Sequence, residues 1–334
     1  MGYDVLRQLV AIDSPTGYTQ RACRYIFEFL ENCGYAPEYT NKGAVRCALG
    51  QNPTLALTAH TDTLGAIVAS ITDEGRLKIS QLGSWPLNSF EGAYVQVITL
   101  DEQAYHGTFL LNNPSAHVNQ LVGTTERKLD NMHIRLDEEV YKKAEVAELG
   151  IRVGDIVCFA PNYQELPSGY IKSRFMDDKA GCYVLLEIAR ECRESGRDLP
   201  VELFFSNYEE VGHGGSGISP NIQELLVVDM GVIGDQCQGR ETACSICAKD
   251  SSGPYDYEFR KTLVRLAEVG KIPYQLDIFP FYGSDGSMAL KAGRDVRVAL
   301  IGPGVAASHG VERTHQKGIE ATIQLAMAYI SHHN

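Results

Sequence analysis

At 334 residues, 44% of them hydrophobic, the chain is long enough to bury one large core or two. Its 42 acidic side chains against 30 basic ones leave a formal net charge of −12, which argues against nucleic acid or an anionic membrane as partner, because both require clustered positive charge. No apolar run reaches the length of a membrane span, and acidic residues interrupt the N-terminal apolar stretch where a signal peptide would carry basic ones, so a cytoplasmic protein is expected.

In chain order, the first periodic segment is a helix from about Thr19-Gln20, with Cys23, Tyr25, Ile26, Phe29 and Leu30 at roughly helical spacing. The run 55–60 (LALTAH) is a short apolar strand ending on a polar residue. From about 66 the texture changes to alternating segments such as AIVASITD, RLKISQL, AYVQVITL and HGTFLL, with turns at DEG and LNN, which read as antiparallel strands. Past that region, helix and strand alternate again. DKAGCYVLLEIARECRES is an amphipathic helix, VELFFS (201–206) and LLVVDM (225–230) are strands, and YDYEFRKTLVRLAEVG is a helix. VRVALIG (296–302) is a strand and THQKGIEATIQLAMAYISHH a closing helix. The expected architecture is an α/β domain with helices on both faces of its sheet, built from residues 1–65 and 168–334, interrupted by an inserted β-rich domain over 66–167.

The nine cysteines, an odd number scattered through these elements, suit reduced thiols better than a disulfide framework. Cys244-x-x-Cys247 has no second such pair and no nearby histidine, so it reads as alternation within a buried strand.

Five stretches place histidine or carboxylate at a strand end or near a helix start: His60-Thr61-Asp62, Asp177-Asp178, Glu209-Glu210, Asp229 and His309. Ligands of an α/β sheet gather beyond the carboxyl ends of its strands, so these stretches can converge. Each has a plainer reading alone. His60 could be a strand-end histidine, Asp177-Asp178 an N-cap, Asp229 a turn residue and His309 a loop residue. The adjacent pair Glu209-Glu210 is harder to set aside, because like charges at a buried strand end repel unless a cation neutralises them. Oxygen and nitrogen donors without cysteine suit zinc, cobalt or manganese. Gly212-x-Gly214-x-x-Gly217 matches a dinucleotide fingerprint only formally, since two glutamates would face the pyrophosphate. His213-Gly214-Gly215 is similar to the oxyanion loop of α/β-hydrolases, but no G-x-S-x-G elbow accompanies it.

The set AHTDTLGAIV (59–68), MDDKAG (176–181), EEVG (209–212), VVDMG (227–231) and SHG (308–310), with LGIRVGDIVCFAP (149–161), IPYQ (272–275) and GSDGS (283–287), resembles the M42 metallo-aminopeptidases over nearly the whole chain. The resemblance implies a phosphorylase/hydrolase-like α/β domain with a mixed central sheet, holding two divalent metal ions. Asp177 would bridge them, with a cis peptide to Asp178. Glu210 and His309 would complete one site, and His60 and Asp229 the other. Glu209 would be the general base, and Asp62 would fix the His60 tautomer from behind. The substrate would be a short peptide, and the inserted domain would serve subunit assembly or substrate access in a homo-oligomer.

Three departures stand out: Thr63 where relatives carry an acidic residue, Lys179 for an arginine, and His213-Gly214-Gly215 for a Leu-Arg-Gly run. They leave open an amide hydrolase of the same scaffold acting on a modified dipeptide. A non-catalytic metal-binding scaffold protein is a further alternative; the presence of Glu209, which would bind no metal, speaks against it.

Overall fold

The strand Leu55–His60 is buried at every position, and a strand buried on both faces has to lie inside a sheet covered by helices. In the computed structural model, which describes residues 2–197 and 199–333, that strand sits between Val201–Ser206 and Glu224–Val228, parallel to both. Glu224–Val228 in turn pairs in parallel with Arg297–Ala306. Antiparallel strands extend both flanks: Val45–Ala48 beside Val201–Ser206, and Glu312–His315 followed by Tyr170–Ser173 beyond Arg297–Ala306. The sheet is therefore mixed, as the family resemblance implies.

Apolar residues leave the two faces of this sheet for separate clusters. Leu57, Leu203, Phe205 and Leu226 pack with the helices Met176–Glu194 and Gln316–His333 through Leu185, Leu186, Ile323 and Ile330. Ala56, Phe204, Leu225 and Leu300 pack on the other side with Phe279 and Ala289. Neighbours such as Ala56 and Leu57 point to opposite faces, as the pleat requires. The helix Met176–Glu194 is buried around most of its circumference because it lies between the sheet and other helices, which explains its long apolar run.

The chain forms two compact units, Met1–Thr63 with Asn162–Asn334 and, separately, Leu64–Pro161. In the second unit six strands close into a barrel in the order Gly65–Ile71, Leu77–Leu82, Met132–Leu136, Ala104–Leu111, Tyr94–Ile98, Ile156–Phe159. Closure leaves no exposed strand edge. Trp85, Phe90, Phe109 and Phe159 form an aromatic cluster with centroids 4.3–6.0 Å apart, and the Trp85 indole donates to the Gly65 carbonyl at 3.0 Å.

The closing helix begins at Gln316, later than its sequence suggests. Thr314 and His315 belong instead to the strand Glu312–His315, where pairing with Tyr170–Ser173 captures their backbone. All nine cysteines are free thiols, with Cys244 and Cys247 buried in the strand Cys244–Lys249. Among the described residues no helix is long and apolar enough to cross a membrane.

Candidate metal centre

Because the central strands run parallel, their carboxyl ends reach one edge of the sheet together; Ser206 is in register with His60. His60 is the last residue of its strand, Glu209 and Glu210 form a single 3-10 turn just past Ser206, and Asp229 follows Val228 directly. His309 lies in the loop between Arg297–Ala306 and Glu312–His315, with a left-handed backbone (φ 58°). Asp177 and Asp178 open the helix Met176–Glu194 with non-helical dihedrals and a cis peptide bond between them. The two residues divide their work. Asp178 caps, its carboxylate accepting the Gly181 N–H at 2.9 Å and the His60 N–H at 3.2 Å. Residue 181 has to be glycine, since a Cβ there would stand 2.4 Å from both Asp178 oxygens. Asp177 turns the other way, into the site.

There the Asp177 carboxylate lies between two imidazoles, Oδ1 3.0 Å from His60 Nε2 and Oδ2 3.3 Å from His309 Nε2. Glu210 Oε2 stands 3.8 Å from His309 Nε2, and Glu209 Oε2 3.8 Å from His60 Nε2. Two triads have ligand atoms within 4.8 Å of one another: His60, Asp177 and Glu210, and His60, Asp178 and Asp229. The five stretches singled out in the sequence thus converge, with Asp178 closer to the ligand set than the sequence reading has it.

Asp62 is fully buried and meets this set from behind. The Asp62 contact that would fix the His60 tautomer is made mainly by the Asp62 carbonyl, 2.9 Å from Nδ1, with the carboxylate at 3.6 Å. A carbonyl only accepts, so Nδ1 carries the proton and Nε2 is the nitrogen aimed at Asp177. The Asp62 carboxylate instead accepts the N–H groups of Glu209 and Glu210 at 3.1 and 3.3 Å and the Thr16 hydroxyl at 2.7 Å. The ammonium of Lys179, also buried, donates to Ser14 Oγ at 2.6 Å, and that hydroxyl donates to the Thr61 carbonyl at 2.8 Å. The lysine thereby braces the same 61–63 segment.

Two buried carboxylates near the ligands escape the sequence reading. Glu312 accepts the Asp177 N–H at 3.2 Å and the His309 N–H at 3.0 Å. Asp285, within the GSDGS stretch, accepts from the Ser206 hydroxyl and lies 3.5 Å from that of Thr58. Asp285 also accounts for the glycine run after EEVG, since a Cβ at Gly214 or Gly215 would stand 2.2 or 2.1 Å from its atoms.

Burial dominates the electrostatics. It pushes Glu209, Glu210 and Asp178 well above the ordinary carboxylate range, Asp229 to about 7, Glu312 to about 8 and Asp285 to about 6. Repulsion from Asp177 adds to the rise at Glu210, Asp229 and Glu312. For His60 burial acts downward, but contacts with Asp177 and Asp62 outweigh it and the pKa rises. Asp177 moves the other way: its histidine partners overcome burial and hold it below the usual range. So many desolvated acids around two imidazoles call for added positive charge. Glu210 Oε1 is buried with no hydrogen-bond partner among the described residues, and an orphaned carboxylate oxygen in an all-oxygen and nitrogen donor set is what a divalent cation would satisfy.

A family model described as M42 glutamyl aminopeptidase matches residues 43–325. The chain is similar to the protein YhfE of Bacillus subtilis (strain 168), 45% identical over 333 residues that cover 98% of this chain and 96% of that one. Among solved structures it superposes on the TET aminopeptidase of a Thaumarchaeota archaeon from marine sediment with a TM-score of 0.90 at 22% identity, covering 98% and 95% of the two chains. The TET1 peptidase of Pyrococcus horikoshii, which can assemble into a tetrahedron or a large octahedral shell, superposes with a TM-score of 0.87 at 21% identity over 98% of each chain.

Proposed function

The chain belongs to the M42 peptidase family, and from that premise we propose that it is a metal-dependent aminopeptidase releasing N-terminal residues from short peptides. The observation that supports this best is the placement of Asp177, one oxygen toward His60 and the other toward His309, beside the orphaned oxygen of Glu210. His60 with Asp229 would hold one divalent ion, and Glu210 with His309 another, with Asp177 shared between them. Zinc, cobalt and manganese all suit these donors. When bound, such ions supply Lewis acidity to a carbonyl and bring the pKa of water toward neutrality.

The residues of the chain do the rest. Glu209 takes the proton of the attacking water and delivers it to the departing amine. Burial raises its pKa against the pull of His60, the direction a group needs if it is to take and give back a proton near neutral pH. Asp62 holds the main chain of the Glu209-Glu210 turn, so the base and its metal-ligating neighbour are aimed together. The Asp62 carbonyl keeps the His60 tautomer that leaves Nε2 for a metal. The barrel unit would serve homo-oligomer assembly or substrate access, and a cytoplasmic location fits the free thiols.

A panel of aminoacyl-p-nitroanilides and short peptides, assayed with zinc, cobalt or manganese, tests the reading. Release of the N-terminal residue in at least one metal form is expected. No hydrolysis under any of the three metals would leave a scaffold protein as the better description.

A further inference from the structure

The turn carrying Glu209 and Glu210 is bracketed by two aromatic side chains that take no part in the metal centre. The His213 N–H donates to the Tyr208 carbonyl at 3.1 Å, and the two rings stack with centroids 5.0 Å apart and planes 23° from parallel. Lys42 reaches this pair from the turn between the strands Glu38–Tyr39 and Val45–Ala48. Its ammonium lies 5.3 Å from the Tyr208 ring centroid and donates to the His213 carbonyl at 2.5 Å. The buried Asn207 amide donates to the Lys42 carbonyl at 2.8 Å, tying the two segments through the backbone as well.

The position of Lys42 is thus well fixed without a carboxylate at ion-pair distance, although the buried Asp285 and Asp62 act on its charge from farther off. Its contacts are a carbonyl, an imidazole and a phenol ring, and among the described residues no carboxylate pairs with it. An ammonium has three donors, of which the His213 carbonyl occupies one. His213 Nδ1 stands 3.5 Å from the ammonium. The other ring nitrogen, Nε2, has no protein partner among the described residues. An exposed rim therefore carries an ammonium and an imidazole together, His213 standing four residues past Glu209. A carboxylate, with two oxygens in one plane, is the group that matches them.

We propose that Lys42 and His213 form a subsite for the C-terminal carboxylate of a short peptide. The inference rests on the aminopeptidase reading above and adds the length and end group of the substrate. The candidate metal centre itself is crowded with buried acids, which repel a negatively charged chain end. In a dipeptide the carboxylate lies one residue beyond the scissile carbonyl, ~3.8 Å, and each further residue carries it up to ~3.6 Å farther. The turn from Glu209 to Gly212 is closed by a hydrogen bond of 2.7 Å, so His213 stays near the base and the subsite favours peptides of two or three residues.

The test is steady-state kinetics of the metal-loaded enzyme on a dipeptide, the same dipeptide as its C-terminal amide, and the corresponding aminoacyl-p-nitroanilide. The free acid should have a KM about fivefold or more below that of the amide, the scale of one charge-assisted hydrogen bond. Lys42→Gln should bring the amide-to-acid KM ratio to near one, and Lys42→Arg should restore most of it. Equal KM values for acid and amide in the native enzyme would overturn the proposal. So would a Lys42→Gln variant that slows acid and amide by one common factor with their KM ratio intact, which would make Lys42 a brace for the turn. Glutamyl- and glutaminyl-p-nitroanilides separate the source of the carboxylate: if Lys42→Gln alters only that preference, the bound group belongs to a side chain and the C-terminal assignment fails. Absence of turnover on every substrate, the carboxylate-free anilide included, would instead sink the aminopeptidase reading and this inference with it.

Discussion

The carboxylate of Asp62 accepts the main-chain N–H of Glu209 at 3.1 Å, and its other oxygen accepts that of Glu210 at 3.3 Å and the Thr16 hydroxyl at 2.7 Å. One buried side chain therefore sets the backbone on which both glutamates stand. Replacing an oxygen by an NH2 group would set donor against donor. Asp62→Asn should lower kcat about 10–100-fold, the usual scale for residues that orient metal-site groups. Comparison of kcat and metal affinity with the native enzyme checks this; unchanged values for both would show that the turn holds its place without Asp62.

Glu209 approaches His60 at 3.8 Å yet lies outside both candidate ligand triads. Glu209→Gln should therefore retain bound metal while kcat falls at least ~10²-fold, the lower end of what proton shuttling contributes. Metal analysis and single-turnover rates on the same sample would decide it. Near-native turnover would remove Glu209 from the role of base.

Asp177 is the side chain that touches both histidines. Asp177→Ala should remove metal and activity together, whereas Glu210→Ala should spare the His60 and Asp229 side. Elemental analysis after dialysis gives the ratio directly. Two ions per chain in Asp177→Ala would show that the carboxylate is not shared.

Much of this centre was legible in the sequence because apolar strands that end on acids or histidines mark the carboxyl edge of a parallel sheet. The run LALTAH announces His60 and VELFFS announces the Glu209-Glu210 turn. Glu312 gives no such signal. It stands in a polar stretch, SHGVERTH, that reads as an exposed loop, and only the pairing of Glu312–His315 with Tyr170–Ser173 buries it beneath Asp177. The same pairing draws Thr314 and His315 out of the expected closing helix. Alternation marks the β-rich segment as strands, but closure into a barrel depends on the pairing of Gly65–Ile71 with Ile156–Phe159. Those residues are distant in sequence, and no local pattern records their meeting. The choice between the Asp62 carbonyl and carboxylate as partner of His60 is likewise a matter of ångströms.

Glu312 and Asp229 make the stability of the metal-free protein depend on pH. Burial raises Glu312 to about 8 and Asp229 to about 7, with repulsion from Asp177 adding to both. An acid whose pKa is higher in the folded chain binds more protons there than in the unfolded one. Its contribution is complete below the unfolded value, ~4, and is lost as pH rises through the folded value. His60, also raised, acts in the same sense, because its favourable charge disappears as pH climbs. The chelator-treated protein should therefore lose thermal stability steadily from about pH 5 to pH 8. A divalent cation favours the ionised acids and neutral His60, so the loss should shrink or reverse when zinc or manganese is restored. Melting temperatures measured across that range with chelator and with metal test both halves. A chelated protein whose melting temperature stays level or rises from pH 5 to 8 would show that these acids are not held protonated, and that their charge is relieved by something other than a metal ion.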